Sequence, residues 1–281
     1  MPTILNNGFG FVVIGGIRPE KNNLAKFIVS LRFADEANFG FRHTCCGSII
    51  SNKLILTAAH CVVQRNFKSI NHPSAMKIVA GTPRRLLRTN HTQEVKVDEI
   101  KVHPHYQTTF GLIIKNDIAL IKLKDELDIN DDFTNIIPLA DQKPKVGQRC
   151  TIIGWGTILE FGPLPDEIVS ADAVIISDAH CAKFGGYHKD VKLCISNSKN
   201  YETKVCHGDS GGPLICDNKV VGITSYGVRC GFPTVPDVYT NVYYFREWIS
   251  RNSVCCLTNN VYMCYKLVLI TLALFTAICN Q

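Results

Sequence analysis

The stretch Cys206–Pro213, CHGDSGGP, sets one hydroxyl, Ser210, among glycines with an acid, Asp209, immediately before it. A serine hydroxyl attacks a carbonyl only when a base takes its proton and nearby donors hold the oxyanion that forms. Glycines allow the sharp turn and the close backbone approach that bring N–H groups to such an oxyanion. This chemistry calls for a histidine base and a carboxylate to orient it. His60 in TAAHC (57–61) and Asp117 in NDIAL (116–120) supply those types. Taken singly, each has an ordinary reading: a serine in a Gly-rich turn, a core histidine, a capping aspartate. The three together, in their order along the chain, point to acyl transfer.

Gly208, Ser210 and Gly212 also satisfy the Gly-x-Ser-x-Gly elbow of α/β-hydrolases, in which the histidine follows the serine. All nine histidines here, from His43 to His207, precede Ser210, which excludes that fold. The order His60, Asp117, Ser210 is that of chymotrypsin. GWG (154–156), ITSYG (223–227) and VYTNV (238–242) follow in register. On these motifs the chain resembles the trypsin/chymotrypsin family of serine endopeptidases from about Val13 to Asn252.

The resemblance implies roles residue by residue. Ser210 is the nucleophile, His60 the general base and then acid, and Asp117 the group that fixes the imidazole tautomer. The N–H groups of Gly208 and Ser210 form the oxyanion hole. VIGG (13–16) matches a mature N-terminus, whose freed Val13 ammonium pairs with buried Asp209. His43 matches the position that holds this acid in the zymogen. Val12, rather than arginine or lysine, precedes that cleavage point, so a trypsin-like activator would not cut there. Ser225 and Gly227 match the edge segment that pairs with substrate backbone. Lys204 falls at the base of the specificity pocket and Asp237 on its wall, with Gly227 a third residue of the pocket. Either the two charges pair, or Lys204 turns outward and leaves Asp237 to recruit a cation; ordinary trypsin specificity is not expected. The family pattern pairs Cys45 with Cys61, Cys150 with Cys216, Cys181 with Cys194 and Cys206 with Cys230. It leaves Cys46, Cys255, Cys256, Cys264 and Cys279 over. No metal or organic cofactor is implied; the partners are polypeptide substrates and protein protease inhibitors.

The elements that would position these groups read as all-β. The resemblance implies two six-stranded antiparallel barrels with the site in the cleft between them. From Phe27 to about Leu123 short apolar runs alternate with turn residues, with a hairpin across Ser51-Asn52. Asp117 precedes a buried strand, 118–123, and a second strand set runs from Gln148 to about Asn241. Val242, Phe245, Trp248 and Ile249 share one face of a C-terminal helix.

Composition sets the outer bounds. A length of 281 residues is ample for one large core. The net charge of +6 is modest and without a long basic block, so nucleic acid has no positive support. Arg84, Arg85 and Arg88, the densest basic cluster, read as a solvated loop. Thirteen cysteines, without zinc-type spacing, indicate disulfides and an oxidising, extracellular compartment. Residues 1–12 lack the basic start and apolar run of a signal peptide, so a true start upstream is expected. Asn90 heads the one glycosylation acceptor of Asn-x-Ser/Thr form. The three-part division is 1–12 leader remnant, 13–252 protease domain and 253–281 hydrophobic tail. That tail ends in thirteen largely apolar residues, Leu267–Cys279, short of the roughly 20 that cross a bilayer. It reads as a GPI-attachment signal or a short membrane anchor at the cell surface. Two rivals remain: a non-catalytic binding protein on the same fold, and a membrane-anchored adhesion module resting on the tail alone.

Overall fold

The computed structural model describes residues 23–35, 38–64, 69–109, 112–157, 162–182, 187–196, 205–227 and 236–258. Val13, Lys204, Cys230, Cys264, Cys279 and the apolar tail therefore lie outside the described residues.

The first half folds as β1 (Ile28–Phe33), β2 (His43–Ser51), β3 (Leu54–Thr57), β4 (Met76–Ala80), β5 (Gln93–Val102) and β8 (Ala119–Leu123). Between β5 and β8 a small hairpin is formed by β6 (Gln107–Thr109) and β7 (Leu112–Lys115). The six longer strands close into a barrel in the order β1-β2-β3-β8-β5-β4. The second half contributes β9 (Arg149–Gly154), β10 (Val169–Ile175), β11 (Lys192–Ser196), β12 (Pro213–Cys216), β13 (Lys219–Tyr226) and β14 (Asp237–Asn241). These close in the order β10-β11-β14-β13-β12-β9. Every pairing between the described strands is antiparallel, and the expected two six-stranded barrels are present. Helix α1 (Asp178–Cys181) is one turn, and α2 (Val242–Thr258) closes the described chain.

Local sequence explains the strands. In β5, Val95 and Val97 point inward while Glu94, Lys96 and Asp98 face solvent, the period of two of a half-buried strand. β8 is buried throughout because the barrel covers one face and α2 packs on it. Its one charge, Lys122, is matched by Asp98 at 3.0 Å. Val242, Phe245 and Ile249 of α2 join the first barrel's core, with Trp248 partly buried beside them. The helix runs past Asn252 to Thr258, six residues into the segment assigned to the tail.

Two expectations need correction. The β2–β3 turn falls at Asn52-Lys53 rather than Ser51-Asn52, because a bulge between Ile49 and Ser51 extends β2 by one residue. The arginine cluster is not uniformly solvated. Arg84 and Arg88 are exposed and paired with Asp166 and Glu94, but Arg85 is buried. Its guanidinium donates to the carbonyls of Gly40 (2.6 Å), Pro165 (2.7 Å) and Leu164 (2.8 Å), which replace its water.

Candidate active site

His60 sits in a 3₁₀ turn, Ala59–Cys61, directly after β3. The Cys45–Cys61 disulfide ties that turn to β2. Asp117 lies just before β8 and is 1 % exposed. Its Oδ1 accepts the His60 backbone N–H at 3.0 Å, and its Oδ2 accepts from His60 Nδ1 at 2.8 Å. A carboxylate only accepts, so Nδ1 carries the proton and Nε2 keeps its lone pair. Burial works to lower the His60 pKa, but the charge of Asp117 and the hydrogen bond to it outweigh this and shift it upward. Burial likewise works to raise the Asp117 pKa. The charge of His60 and the bonds from His60 and Ser225 hold it below the usual carboxylate range.

The second barrel grips the same aspartate. Ser225 of β13 donates to Asp117 Oδ2 at 2.6 Å, and Thr240 of β14 donates to the Asp117 carbonyl at 2.8 Å. Thr240 was not singled out by sequence reasoning, although it stands in the middle of VYTNV. Ser225 was assigned to substrate pairing, yet its side chain faces Asp117. β13 lies inside the barrel between β12 and β14. Its β12-side ladder ends at Thr224, and among the described residues Ser225–Gly227 overhang it with one side unpaired.

Ser210 sits in a turn wedged between the barrels. Its carbonyl accepts from Cys46 N–H of β2 at 2.8 Å, and Gly211 N–H donates to Thr224 at 2.9 Å. Gly211 has φ +76°, and a Cβ there would collide with Thr57 Oγ1 and the Cys46 carbonyl. Thr57 in turn donates to that carbonyl at 2.8 Å. The Ser210 turn therefore lies against the strand that ends three residues before His60. Among the described residues no hydrogen bond joins the Ser210 hydroxyl to the His60 ring. Neither the Gly208 nor the Ser210 N–H has an acceptor among them.

Asp209 is buried. Oδ1 accepts from Gly156 N–H at 2.7 Å and Oδ2 from Cys206 N–H at 3.0 Å. Burial raises its pKa to about 6, and these two bonds offset only part of that. A Cβ on Gly154 or Gly156 would overlap the carboxylate, which explains both glycines of GWG. Among the described residues no hydrogen bond joins His43 to Asp209; His43 Nε2 lies 3.1 Å from the Gly208 carbonyl.

Asp237 is buried in β14, where its Oδ2 accepts from Val205 N–H at 3.2 Å. Its Oδ1 lies 2.7 Å from where a Cβ on Gly227 would stand. Cys45–Cys61, Cys150–Cys216 and Cys181–Cys194 are bonded. Cys206 is also disulfide-bonded, and Cys46 is a buried free thiol. Cys45, His60 and Cys61 cluster closely, but both sulfurs are joined as cystine and offer no thiolate to a metal. Asn90 is exposed in the β4–β5 connection.

Two closed barrels, with a histidine–aspartate pair on one and a Gly-Asp-Ser-Gly turn on the other, define a two-barrel serine hydrolase. The family model described as "Trypsin" matches residues 13–249. The chain is 33 % identical to trypsin eta of Drosophila erecta, over 85 % of this chain and 88 % of that protein. It is 33 % identical to kallikrein-8 of Mus musculus, over 75 % and 78 %. The solved structure of neuropsin, a serine protease expressed in the limbic system of mouse brain, superposes with TM-score 0.73 at 30 % identity. That match covers 85 % of this chain and 99 % of that one. The chain belongs to the trypsin family and is a serine endopeptidase.

Proposed function

We propose that this protease cleaves polypeptides through an acyl-enzyme on Ser210, with His60 as general base and Asp117 holding its tautomer. The observation that carries this is the His60–Asp117 pair at 2.8 Å, clamped by Ser225 and Thr240 from the barrel that bears Ser210. Catalytic hydrogen bonds in unliganded sites are often long and tighten when substrate binds, which fits the unbonded Ser210 hydroxyl. The Gly208 and Ser210 N–H groups serve as the oxyanion hole, and the Ser225–Gly227 overhang receives substrate backbone. The protein is made as a zymogen, and release of the Val13 ammonium supplies the cationic partner that buried Asp209 needs. Its cystines, three of them with both halves among the described residues, support secretion. The hydrophobic tail would hold it at the cell surface, through a GPI signal or a short anchor. Asp237 beside Gly227, with Lys204 at the base, makes a pocket unlike one that selects arginine or lysine through an acid. Lys204 either pairs with Asp237 or turns to solvent.

The test is labelling by a fluorophosphonate of the chain freed at Val13, with Ser210→Ala as control. Labelling of the parent alone is expected. A folded, disulfide-bonded parent that does not label would favour a non-catalytic binding protein on the same fold.

A further inference from the structure

Tyr226 stands in the Ser225–Gly227 overhang with a buried ammonium behind it. Lys192 of β11 pairs directly with Thr240 of β14, so their side chains share the face on which Thr240 reaches Asp117. Lys192 is 2 % exposed, and its Nζ lies 3.0 Å from the Tyr226 hydroxyl and 4.6 Å from the centre of the Tyr226 ring. A bulge between Thr224 and Tyr226 lets two neighbours on β13 serve different partners: Ser225 reaches Asp117, and Tyr226 reaches Lys192. Tyr226 itself is part-exposed and packs on Val238, its partner across β14. Asp237 precedes Val238, so its carboxylate belongs to the opposite face of β14.

The Lys192–Tyr226 bond has a fixed direction. An ammonium only donates, so the Tyr226 oxygen accepts and the phenol's own proton points to another group. Among the described residues none accepts it. Burial and then the charge of Asp117 push the Tyr226 pKa up to about 12, so the hydroxyl keeps that proton. Lys192, held down to about 8 by burial against the pull of Asp117, is still an ammonium at neutral pH. A hydroxyl that accepts from a cation is polarised into a stronger donor. Asp117 is the anion that acts on both groups, and its oxygens are held by His60 and Ser225. The other acids near this face are engaged as well: Asp178 accepts from Tyr187, and Asp190 lies 3.5 Å from Lys143. Burial first, then the charges of Lys115 of β7 and Lys192, lower the pKa of His188 in the loop before β11. Positive charge therefore converges here from both barrels.

We propose that Tyr226, backed by Lys192, is a specificity-determining residue that selects an acidic side chain in the substrate segment lying along Ser225–Gly227. This inference rests on the proposed catalytic reading, in which that overhang receives substrate backbone. A strand laid against the overhang sets one substrate residue opposite Tyr226, and opposed residues present their side chains to the same face. The substrate residue two further along shares that face. A carboxylate there takes the phenol proton as a charge-assisted hydrogen bond and gains the attraction of Lys192 and Lys115 at longer range. A side-chain amide of the same size accepts the proton but gains nothing from the charges, so glutamate is preferred over glutamine.

The test gives a mixture of denatured peptides of known sequence to the full chain freed at Val13 and to its Lys192→Met, Lys192→Arg and Tyr226→Phe variants. Mass spectrometry reads the bonds cut, and the ratio of Glu to Gln is compared at each position around them. In the parent, Glu should exceed Gln about tenfold at one position, or at two positions two residues apart. Lys192→Met and Tyr226→Phe should bring that ratio within about twofold of unity, and Lys192→Arg should keep most of it. A flat ratio in the parent overturns the proposal, as does a Glu preference that Lys192→Met leaves intact, since it then belongs to another group. Should Lys192→Met not fold, Tyr226→Phe leaves ammonium and ring in place and decides by the same criterion. Labelled peptides from the mixture, paired as Glu and Gln forms, are also titrated against Ser210→Ala by fluorescence anisotropy. A parent that does not react with fluorophosphonate defeats the catalytic reading, while this titration still decides the subsite: equal affinity within every pair overturns it.

Discussion

The two barrels contribute unequal halves to the site. On the first, His60 and Asp117 are opposite charges in waiting, 2.8 Å apart, and each lowers the other's cost of burial. On the second, Asp209 is a buried carboxylate whose partners among the described residues are two backbone N–H groups. Its raised pKa, about 6, says these do not replace the water it lost. Folding alone completes the first half. The second lacks a cation for its acid among the described residues, and the proposed release of Val13 would supply one.

The largest effect should come from breaking the complete half. Asp117→Asn would present an N–H where His60 Nδ1–H now donates and turn the ring to the wrong tautomer. A fall in kcat of about 10⁴-fold is expected, the size known for this change in the family's well-studied enzyme. A fall under tenfold would mean that the pair does not drive the chemistry. Asp209→Asn should sharpen the contrast by separating activity from stability. Loss of the charge that seats the Ser210 turn should cost kcat about 10²-fold or more.

Stability should move the other way. Because folding raises the Asp209 pKa above its ordinary 3.8, the native state holds the extra proton between about pH 4 and pH 6. Before Val13 is released, stability should therefore fall as pH rises through that window, and Asp209→Asn should remove the slope. Urea midpoints on either side of the window measure it, and an unchanged slope would show that Asp209 is not the uncompensated group.

The third effect is on the pH profile. His60 must be neutral to act as a base and its pKa is raised, so kcat/KM should fall on the acid side with a midpoint above 6.5. In Asp117→Asn burial acts alone, and the residual activity should show a midpoint below 6.5. The smallest effect is Ser225→Ala, which removes one donor of three to the Asp117 carboxylate but leaves both His60 contacts. A net loss of about 1 kcal/mol, roughly fivefold in kcat, is expected. A loss as large as that of Asp117→Asn would mean that the second barrel, not His60, holds the aspartate.

Much of the architecture was legible because its signals are local. Strand period, turn glycines and the apolar face of α2 each depend on neighbours in sequence. Gly154, Gly156 and Gly211 stood out as motif letters. Their reason, no room for a Cβ beside Asp209 or Thr57, belongs to the packed structure. The arginine cluster was misread because charge alone does not reveal that three carbonyls converge on Arg85. The roles of Ser225 and Thr240 toward Asp117 were missed because they lie 108 and 123 residues away.

By itself the sequence determined the chemistry on offer: a nucleophile in a glycine turn, a base, an acid and an order along the chain that leaves one fold family. Residue types and local backbone preferences suffice for that. Only the tertiary structure decided which proton each group carries. His60 holds its proton on Nδ1 because Asp117 faces it, and His43 holds its own on Nε2 because Gly208 does. It also decided that Asp209 is buried without a cation among the described residues. Hydrogen-bond direction and desolvation depend on what surrounds a group in space, and no stretch of sequence carries that alone.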